Sequence, residues 1–167
     1  MAGYSQVRLL AQGTLAGAAS SLTLGSFDAT PMLRVFVRIS GYSASAIAQL
    51  QFNGDTGTTA YAYKVSTDLA VPTSAIAATA AGIKVSQTAT TGARGLIEFS
   101  ISNISGNPHA IVYQSSDLSE SAATAPSITS GAGVWTNTAQ ITRITLDGGG
   151  ANLNAGTWMA VYGFEGF

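Results

Sequence analysis

Hydrophobic and polar residues alternate along several short segments of this chain. In residues 33–39 the odd-numbered positions are Leu, Val, Val and Ile, whereas the even-numbered positions are Arg, Phe and Arg. Successive side chains of a β-strand point to opposite faces, so this pattern predicts a strand whose odd-numbered positions face a core. Residues 95–101 alternate in the same way, which predicts that Ile97, Phe99 and Ile101 face inward.

Seven more segments are rich in β-branched and aromatic residues and are bounded by Gly, Asn, Ser or Thr, a composition typical of strands and turns. Residues 47–52 and 60–65 flank Asn53-Gly54, a pair that tolerates the positive φ angles of tight turns, so these two segments are predicted to form a hairpin. The seven predicted strands are residues 6–12, 20–24, 47–52, 60–65, 110–114, 140–146 and 157–162.

The absence of predicted helices between these strands favours an all-β fold, either an antiparallel sandwich or a barrel. An Ala-rich stretch at residues 74–81 is predicted to add at most one helical turn. The chain length and a long predicted loop at residues 115–133 favour a jelly-roll β-sandwich of about 8–10 strands over an immunoglobulin sandwich. We therefore predict a single domain over residues 1–167, with an N-terminal arm at 1–6 and a C-terminal tail at 164–167.

The composition is unusual because charged residues make up only 9% of the chain, against about 25% in ordinary domains. Ala, Gly, Ser and Thr supply 85 of the 167 residues, and there is no cysteine. A net charge of −1 without a basic cluster argues against nucleic-acid binding, and 46% hydrophobic residues argue against disorder. A surface so poor in charge favours association with other protein, the alternative being a monomer solubilised by hydroxyls and amides.

No export or membrane segment is predicted. The apolar run near the N-terminus is interrupted by Gln12, Gly13 and Thr14, so it lacks the continuous core of a signal peptide. Residues 69–83 contain no charged residue, but they include Pro72 and are shorter than the roughly 20 residues of a membrane-spanning helix. We expect synthesis in the cytoplasm and no membrane partner.

Few residues could carry chemistry, and we predict no catalytic, cofactor-binding or metal-binding residue. His109 is the single histidine and follows a Gly/Asn/Pro turn, so a polar loop position is expected for it. Asp117 and Glu120 are the only close pair of acids, in a Ser-rich segment where solvation is the expected role. The Gly-rich run after Asp147 lacks the ligand pattern of a calcium loop and the Lys of a phosphate loop, so a flexible turn is predicted.

The aromatic residues are predicted to be core or interface anchors, with a carbohydrate platform as the alternative. Tyr61 and Tyr63 fall on the same face of one predicted strand, and Trp135 lies in a Gly-flanked loop or short strand. Trp158 and Tyr162 are predicted to face the interior of the sandwich.

Six groups of residues occur in a fixed order along the chain. They are residues 9–12 with 19–24, residues 33–39, residues 50–57 containing Phe52-Asn53-Gly54-Asp55 and followed by Tyr61 and Tyr63, residues 95–101, residues 135–144 beginning with Trp135, and residues 152–163 containing Trp158-Met159-Ala160-Val161-Tyr162. Taken in this order, they resemble a widespread group of tailed-bacteriophage virion proteins built on a jelly-roll β-sandwich. The similarity extends from about residue 8 to about residue 163, although Gln51 stands where a basic residue is frequent in that group.

The resemblance implies a virion structural protein without catalytic residues. We expect a capsid cement or decoration protein, a homotrimer on the capsid surface that binds between subunits of the major capsid protein. The alternative is a tail-fibre or tail-tip protein that binds a host receptor or glycan. Aromatic residues near both chain ends, Tyr4, Phe164 and Phe167, are expected to contact other subunits, because such side chains are unfavourable in water.

Overall fold

The computed structural model describes residues 6–67, 81–85, 92, 94–118 and 127–165. In these ranges the chain forms eleven strands, every strand pair is antiparallel, and there is no helix. This part of the chain accordingly provides no helix that could cross a membrane. The strands are β1 (Gln6–Thr14), β2 (Ser21–Gly25), β3 (Met32–Ile39), β4 (Gln49–Phe52), β5 (Tyr61–Thr67), β6 (Ile83–Lys84), β7 (Arg94–Ser102), β8 (His109–Leu118), β9 (Ser127–Trp135), β10 (Arg143–Asp147) and β11 (Trp158–Glu165).

The strands form two sheets. One has seven strands in the order β1-β11-β3-β7-β8-β9-β5, and the other has four in the order β2-β10-β4-β6. Early in the chain, consecutive strands alternate between the sheets, with β1 and β3 in the larger one and β2 and β4 in the smaller one. The prediction of an all-β, antiparallel, single-domain fold is therefore confirmed.

The core lies between the inward faces of the two sheets. Leu33, Val35 and Val37 of β3 are fully buried, as the alternation in residues 33–39 predicted. The smaller sheet contributes Leu50 of β4 and Leu146 of β10, which are also fully buried. Each large aliphatic side chain buried in this way contributes about 1.5–3 kcal/mol to stability.

The predicted loop at residues 115–133 is wrong, because it contains the end of β8 and most of β9. Gly131 and Gly133 made β9 resemble a loop in the sequence. Gly131 lies directly opposite Tyr113 of β8, and a Cβ atom on Gly131 would collide with the Tyr113 ring. Because Gly131 has no side chain, the Tyr113 ring can pack across β9. The glycine therefore does not interrupt the sheet.

The predicted hairpin of residues 47–52 and 60–65 is also wrong. Asn53 and Gly54 have φ angles of 51° and 75°, so the turn itself forms as expected. However, β4 pairs with β10 and β6, whereas β5 pairs with β9 in the other sheet. A tight turn sets only the local change of direction, and here it carries the chain from one sheet to the other.

Two predicted boundaries also need correction. Gln6 belongs to β1 and not to an arm, and Phe164 and Glu165 belong to β11 and not to a tail. These strand ends pair with each other, Gln6 opposite Glu165, so the two ends of the described fold lie side by side. The predicted helical turn at residues 74–81 lies outside the described residues except for Ala81.

Candidate functional site

Four rings pack together at the end of the core where the chain crosses from β4 to β5. Trp135 of β9 lies between Tyr61 of β5 and His109 of β8, and it is the direct cross-strand partner of both. The Trp135 ring stacks on His109 at 5.2 Å and on Tyr61 at 6.5 Å between centroids, and Phe52 contacts it at 5.6 Å. All four side chains are fully buried, so this cluster belongs to the core and cannot receive a ligand.

Asp55 connects the crossing turn to this cluster. Its carboxylate accepts hydrogen bonds from Trp135 Nε1 and from the backbone N–H of Gly57, both at 2.9 Å. The Tyr61 hydroxyl donates to the carbonyl of Asp55 and accepts from the backbone N–H of Phe52, again at 2.9 Å. Burial raises the pKa of Tyr61 to about 12, so its hydroxyl keeps its proton even above pH 10, where a free tyrosine side chain is ionised. Both carboxylate oxygens and the backbone carbonyl of Asp55 therefore accept hydrogen bonds that hold the turn.

Two asparagine side chains hold the segment between β9 and β10. The Asn53 amide oxygen accepts from the backbone N–H groups of Thr142 and Arg143 at 3.0 and 3.1 Å. Asn103 is fully buried, accepts from the N–H of Ile141 at 2.7 Å, and donates to the carbonyls of Ile141 and Thr30. The sequence gives no signal of this role for Asn103, because a single Asn after a strand is typical of an ordinary turn.

His109 does not occupy the polar loop position that was predicted. It begins β8 and is fully buried, with Nδ1 3.0 Å from the Ser102 carbonyl oxygen and Nε2 2.9 Å from the Ala139 carbonyl oxygen. Carbonyl oxygens only accept hydrogen bonds, so these contacts orient the ring but activate no nucleophile. In the described ranges no group of three or more His, Asp or Glu side chains could hold a metal ion.

The other acidic candidates also have structural positions. Asp147 ends β10 and its carboxylate accepts from the backbone N–H of Gly149 at 2.8 Å. Gly149 packs directly against the backbone of Ile47, so the predicted flexible turn is a tightly packed one. Asp117 lies in β8 and not in a loop, whereas Glu120, the other member of the predicted pair, lies outside the described residues.

The outward faces of the two sheets differ sharply in chemistry. The outward face of the four-stranded sheet, which we call the polar face, carries hydroxyl, amide and charged side chains, and Thr23 and Thr145 share a hydrogen bond of 3.0 Å across it. Its residues are Ser21, Thr23, Gly25, Gln49, Gln51, Lys84, Arg143, Thr145 and Asp147.

The outward face of the seven-stranded sheet, which we call the apolar face, carries mainly aliphatic and aromatic side chains between β1 and β7 and more serine and glutamine toward β5. Its charged residues are Arg34, Arg38, Arg94, Lys64 and Glu98. A groove of about 450 Å³ crosses it between β1 and β7. Phe36 and Tyr162 meet edge to face at 5.8 Å between centroids, and the Arg34 guanidinium lies 5.9 Å from the Phe164 ring centroid. The groove is lined by Val7, Arg34, Phe36, Leu96, Trp158, Tyr162 and Phe164.

The prediction that Trp158 and Tyr162 face the interior is wrong. Met159 and Val161 are the fully buried residues of β11, and Trp158 and Tyr162 are half-buried on the apolar face. Both sets of alternate positions in this strand are hydrophobic, so the sequence pattern did not distinguish the inward face from the outward face. Tyr61 and Tyr63, in contrast, are both buried on the inward face.

Of the three predicted contact residues, Phe164 lines the groove. Tyr4 and Phe167 lie outside the described residues. The groove residues form no recognisable group in the sequence, because they come from four strands that are distant along the chain. No family model matches this chain, and no curated protein matches it either.

Proposed function

We propose that this chain is a bacteriophage virion structural protein with a jelly-roll fold, and that it acts as a capsid cement protein. In this role it binds between subunits of the major capsid protein as a homo-oligomer, a trimer in the resemblance noted above. The observation that carries the proposal is the contrast between the polar face and the apolar face. Such a contrast suits a protein that has one side in solvent and the other against protein.

The strand order supports the jelly-roll assignment. Without β5, β8 and β9, the larger sheet reads β1-β11-β3-β7 and the smaller sheet reads β2-β10-β4-β6. Eight strands remain, and the first and last of them are neighbours in one sheet while the second and second-last are neighbours in the other. This nesting is the arrangement of two Greek keys in a double-sheet jelly roll. On this assignment β5, β8 and β9 extend one sheet beyond β7.

The mechanism is adhesion by packing, without a chemical step. Covering about 400 Å² of apolar surface contributes about 10 kcal/mol, at about 25 cal/mol per Å², before the entropy cost of association is subtracted. A net charge of −1 adds little electrostatic repulsion between copies. The motifs shared with the phage group fit this role, since Asp55, Trp135 and Tyr61 hold the scaffold that presents the apolar face.

The test is to separate heads and tails of purified particles of the encoding phage and to quantify this chain in each fraction by mass spectrometry. A cement protein is expected in the head fraction at a fixed ratio to the major capsid protein. Heads stripped of the chain should also open at a lower temperature and regain their stability when the purified chain is added back. Absence from both fractions would refute a virion role.

The second candidate is a tail protein that binds a host glycan, and the aromatic groove favours it. Half-buried Trp158, Tyr162 and Phe36 are the kind of side chains on which sugar rings stack. This candidate predicts the chain in the tail fraction only, together with saturable quenching or enhancement of Trp158 fluorescence by a saccharide. Trp135 is fully buried and should not respond.

A further inference from the structure

We infer that the apolar face is covered by a second copy of this chain, with the groove inside the contact between copies. The inference rests on the proposed function in one respect, because it takes assembly by packing as the role of this protein. It goes beyond that function by naming the surface that forms the contact, the molecule that covers it and the residues on which the contact depends.

The exposed hydrophobic side chains are concentrated on this face. Of the six large hydrophobic residues that are exposed in the described ranges, five lie there, and their exposed fractions are 44–60%. Strand register places Leu9 beside Tyr162 and Val7 beside Phe164, so these residues continue the groove to the edge of the sheet. Monomeric proteins rarely leave so continuous an apolar surface in water. The five residues are Val7, Leu9, Leu96, Val112 and Ile128.

The dimensions of the face match those of a stable interface. Adjacent strands are about 4.8 Å apart and each residue advances a strand by about 3.3 Å, so seven strands of this length make a face of roughly 30 by 25 Å. Its area of roughly 750 Å² is close to the roughly 800 Å² that each partner buries in a standard protein–protein interface. One copy of the apolar face is therefore large enough to hold a partner without help from other surfaces.

The charges on the face are compatible with an uncharged occupant. Arg34 forms an ion pair with Glu98 at 3.2 Å, and Arg38 donates to the carbonyl oxygen of Gly156 at 3.1 Å. Covering the Arg34–Glu98 pair therefore buries no isolated charge. Arg38 and Arg94 form no ion pair within the described residues, but they line a depression at the ends of β3 and β7, at the rim of the face, where they can stay in water. Lys64 lies on β5, the strand at the far edge of the sheet, where it can stay in water.

These features favour a copy of the chain over the other occupants. A strongly basic partner would meet Arg38, Arg94 and Lys64 at the rim of the face. A strongly acidic partner would find no unpaired cation in the groove itself, because Arg34 is paired with Glu98. A saccharide would need several free polar groups, whereas the groove is lined mainly by hydrocarbon and the Arg34 guanidinium is engaged. A second copy brings a groove of the same apolar character, whose one charged lining residue is already paired within the same copy.

The test compares matched lysine substitutions on the two outward faces by sedimentation equilibrium. Leu96→Lys places a charge on the apolar face at a side chain that is 60% exposed, so the folded monomer tolerates it. Gln51→Lys places the same charge on the polar face and serves as the control. We expect the unmodified chain to be oligomeric, Leu96→Lys to weaken association about 100-fold, and Gln51→Lys to leave it unchanged. Matching thermal unfolding of the dissociated monomers establishes that both variants fold.

Two outcomes would overturn the inference, namely a monomeric unmodified chain at every concentration, or equal association of Leu96→Lys and the unmodified chain. The head and tail fractions separate this result from the proposed function. A chain that occupies heads but is monomeric in solution contradicts the inference alone, and points to the capsid protein as occupant of the face. An oligomer that is absent from particles contradicts only the virion role. A monomer that binds a saccharide contradicts the inference and supports the glycan-binding tail protein instead.

Discussion

At the scale of single residues, the most conspicuous residues of the sequence have structural roles. Asp55, Tyr61 and Trp135 belong to one hydrogen-bonded group at the crossing between the sheets. Their side chains satisfy buried donors and acceptors that would otherwise be costly, so each is needed for the geometry of the turn. These conspicuous residues therefore mark the place where the chain changes sheets and are not evidence of a ligand site.

Replacing Asp55 with Ala should lower the free energy of unfolding by about 1–3 kcal/mol, because Trp135 Nε1 then loses its acceptor in a buried site. Asp28→Ala is the matched control, since Asp28 is exposed and forms only a surface ion pair with Arg8. Urea denaturation of both variants measures the difference. Equal stability of the two variants would show that the Trp135–Asp55 bond does not hold the turn.

The pKa of Tyr61 gives a prediction at high pH. Burial raises it from 10.0 to about 12, so the folded state keeps the proton over a range where the unfolded chain has lost it. This contribution is fully present below pH 10 and is lost as the pH rises from 10 through 12, because the fold must then accommodate a buried phenolate. Linkage gives a loss of about 1.4 kcal/mol by pH 11.

Tyr61→Phe removes this particular titration. We therefore expect the unfolding free energy of the variant to fall less between pH 9 and pH 11 than that of the unmodified chain, by about 1.4 kcal/mol. Burial also raises the pKa of Tyr113, and that contribution cancels in the comparison because both proteins retain it. Parallel pH profiles for the two proteins would mean that Tyr61 is not buried as described.

At the scale of elements, the contrast between alternate positions decided which strands could be predicted. The faces of β3 and β7 were predicted correctly because aliphatic and charged residues alternate there. β11 offers no such contrast, and its inward face was assigned to the wrong set of residues. β9 was missed because its two glycines interrupt the hydrophobic pattern, although Tyr113 of the neighbouring strand fills the space above Gly131.

Gly131→Ala tests that account of β9. The added methyl group would overlap the Tyr113 ring, and forcing it into a packed core should cost about 1–3 kcal/mol. Gly17→Ala is the control, because no atom lies within 4 Å of a Cβ built at Gly17. Thermal unfolding of both variants, and of Tyr113→Ala with and without Gly131→Ala, separates the clash from a general effect of alanine. If Gly131→Ala costs as much in the Tyr113→Ala background as in the unmodified chain, the clash with Tyr113 is not the cause of the loss.

At the scale of the whole molecule, sequence patterns predicted the class of fold but not the surface on which the proposed function depends. The all-β fold follows from local alternation and turn residues, and each of these signals spans a few positions. The groove is different, because Val7, Phe36, Leu96 and Trp158 come together only through the pairing of β1, β11, β3 and β7. Pairing of strands so far apart in the chain depends on the complete sheet, so no local pattern shows it.

The chemistry of the apolar face leads to a prediction about salt. Its ion pair, Arg34–Glu98, is formed within one copy, and the rest of the groove is mainly hydrocarbon. Arg38, Arg94 and Lys64 lie at the rim of the face, so few charges are desolvated when copies associate. Screening by ions weakens contacts between exposed charges and has little effect on apolar packing. We expect the dissociation constant of the oligomer to change by less than about threefold between roughly 0.05 and 0.5 M sodium chloride.

The emission of Trp158 provides an independent measurement in the same titration. Trp158 lies in the groove and Trp135 is fully buried, so acrylamide should quench the fluorescence of Trp158 in the monomer. This quenching should decrease on association, because the second copy covers Trp158. Trp158→Phe is the control, since its remaining tryptophan should be protected at every concentration. A dissociation constant that rises tenfold or more with salt, or quenching that is unchanged by association, would place the contact on charged surfaces elsewhere. The two measurements together thus separate a packed apolar contact from an electrostatic one without knowledge of the oligomer's symmetry.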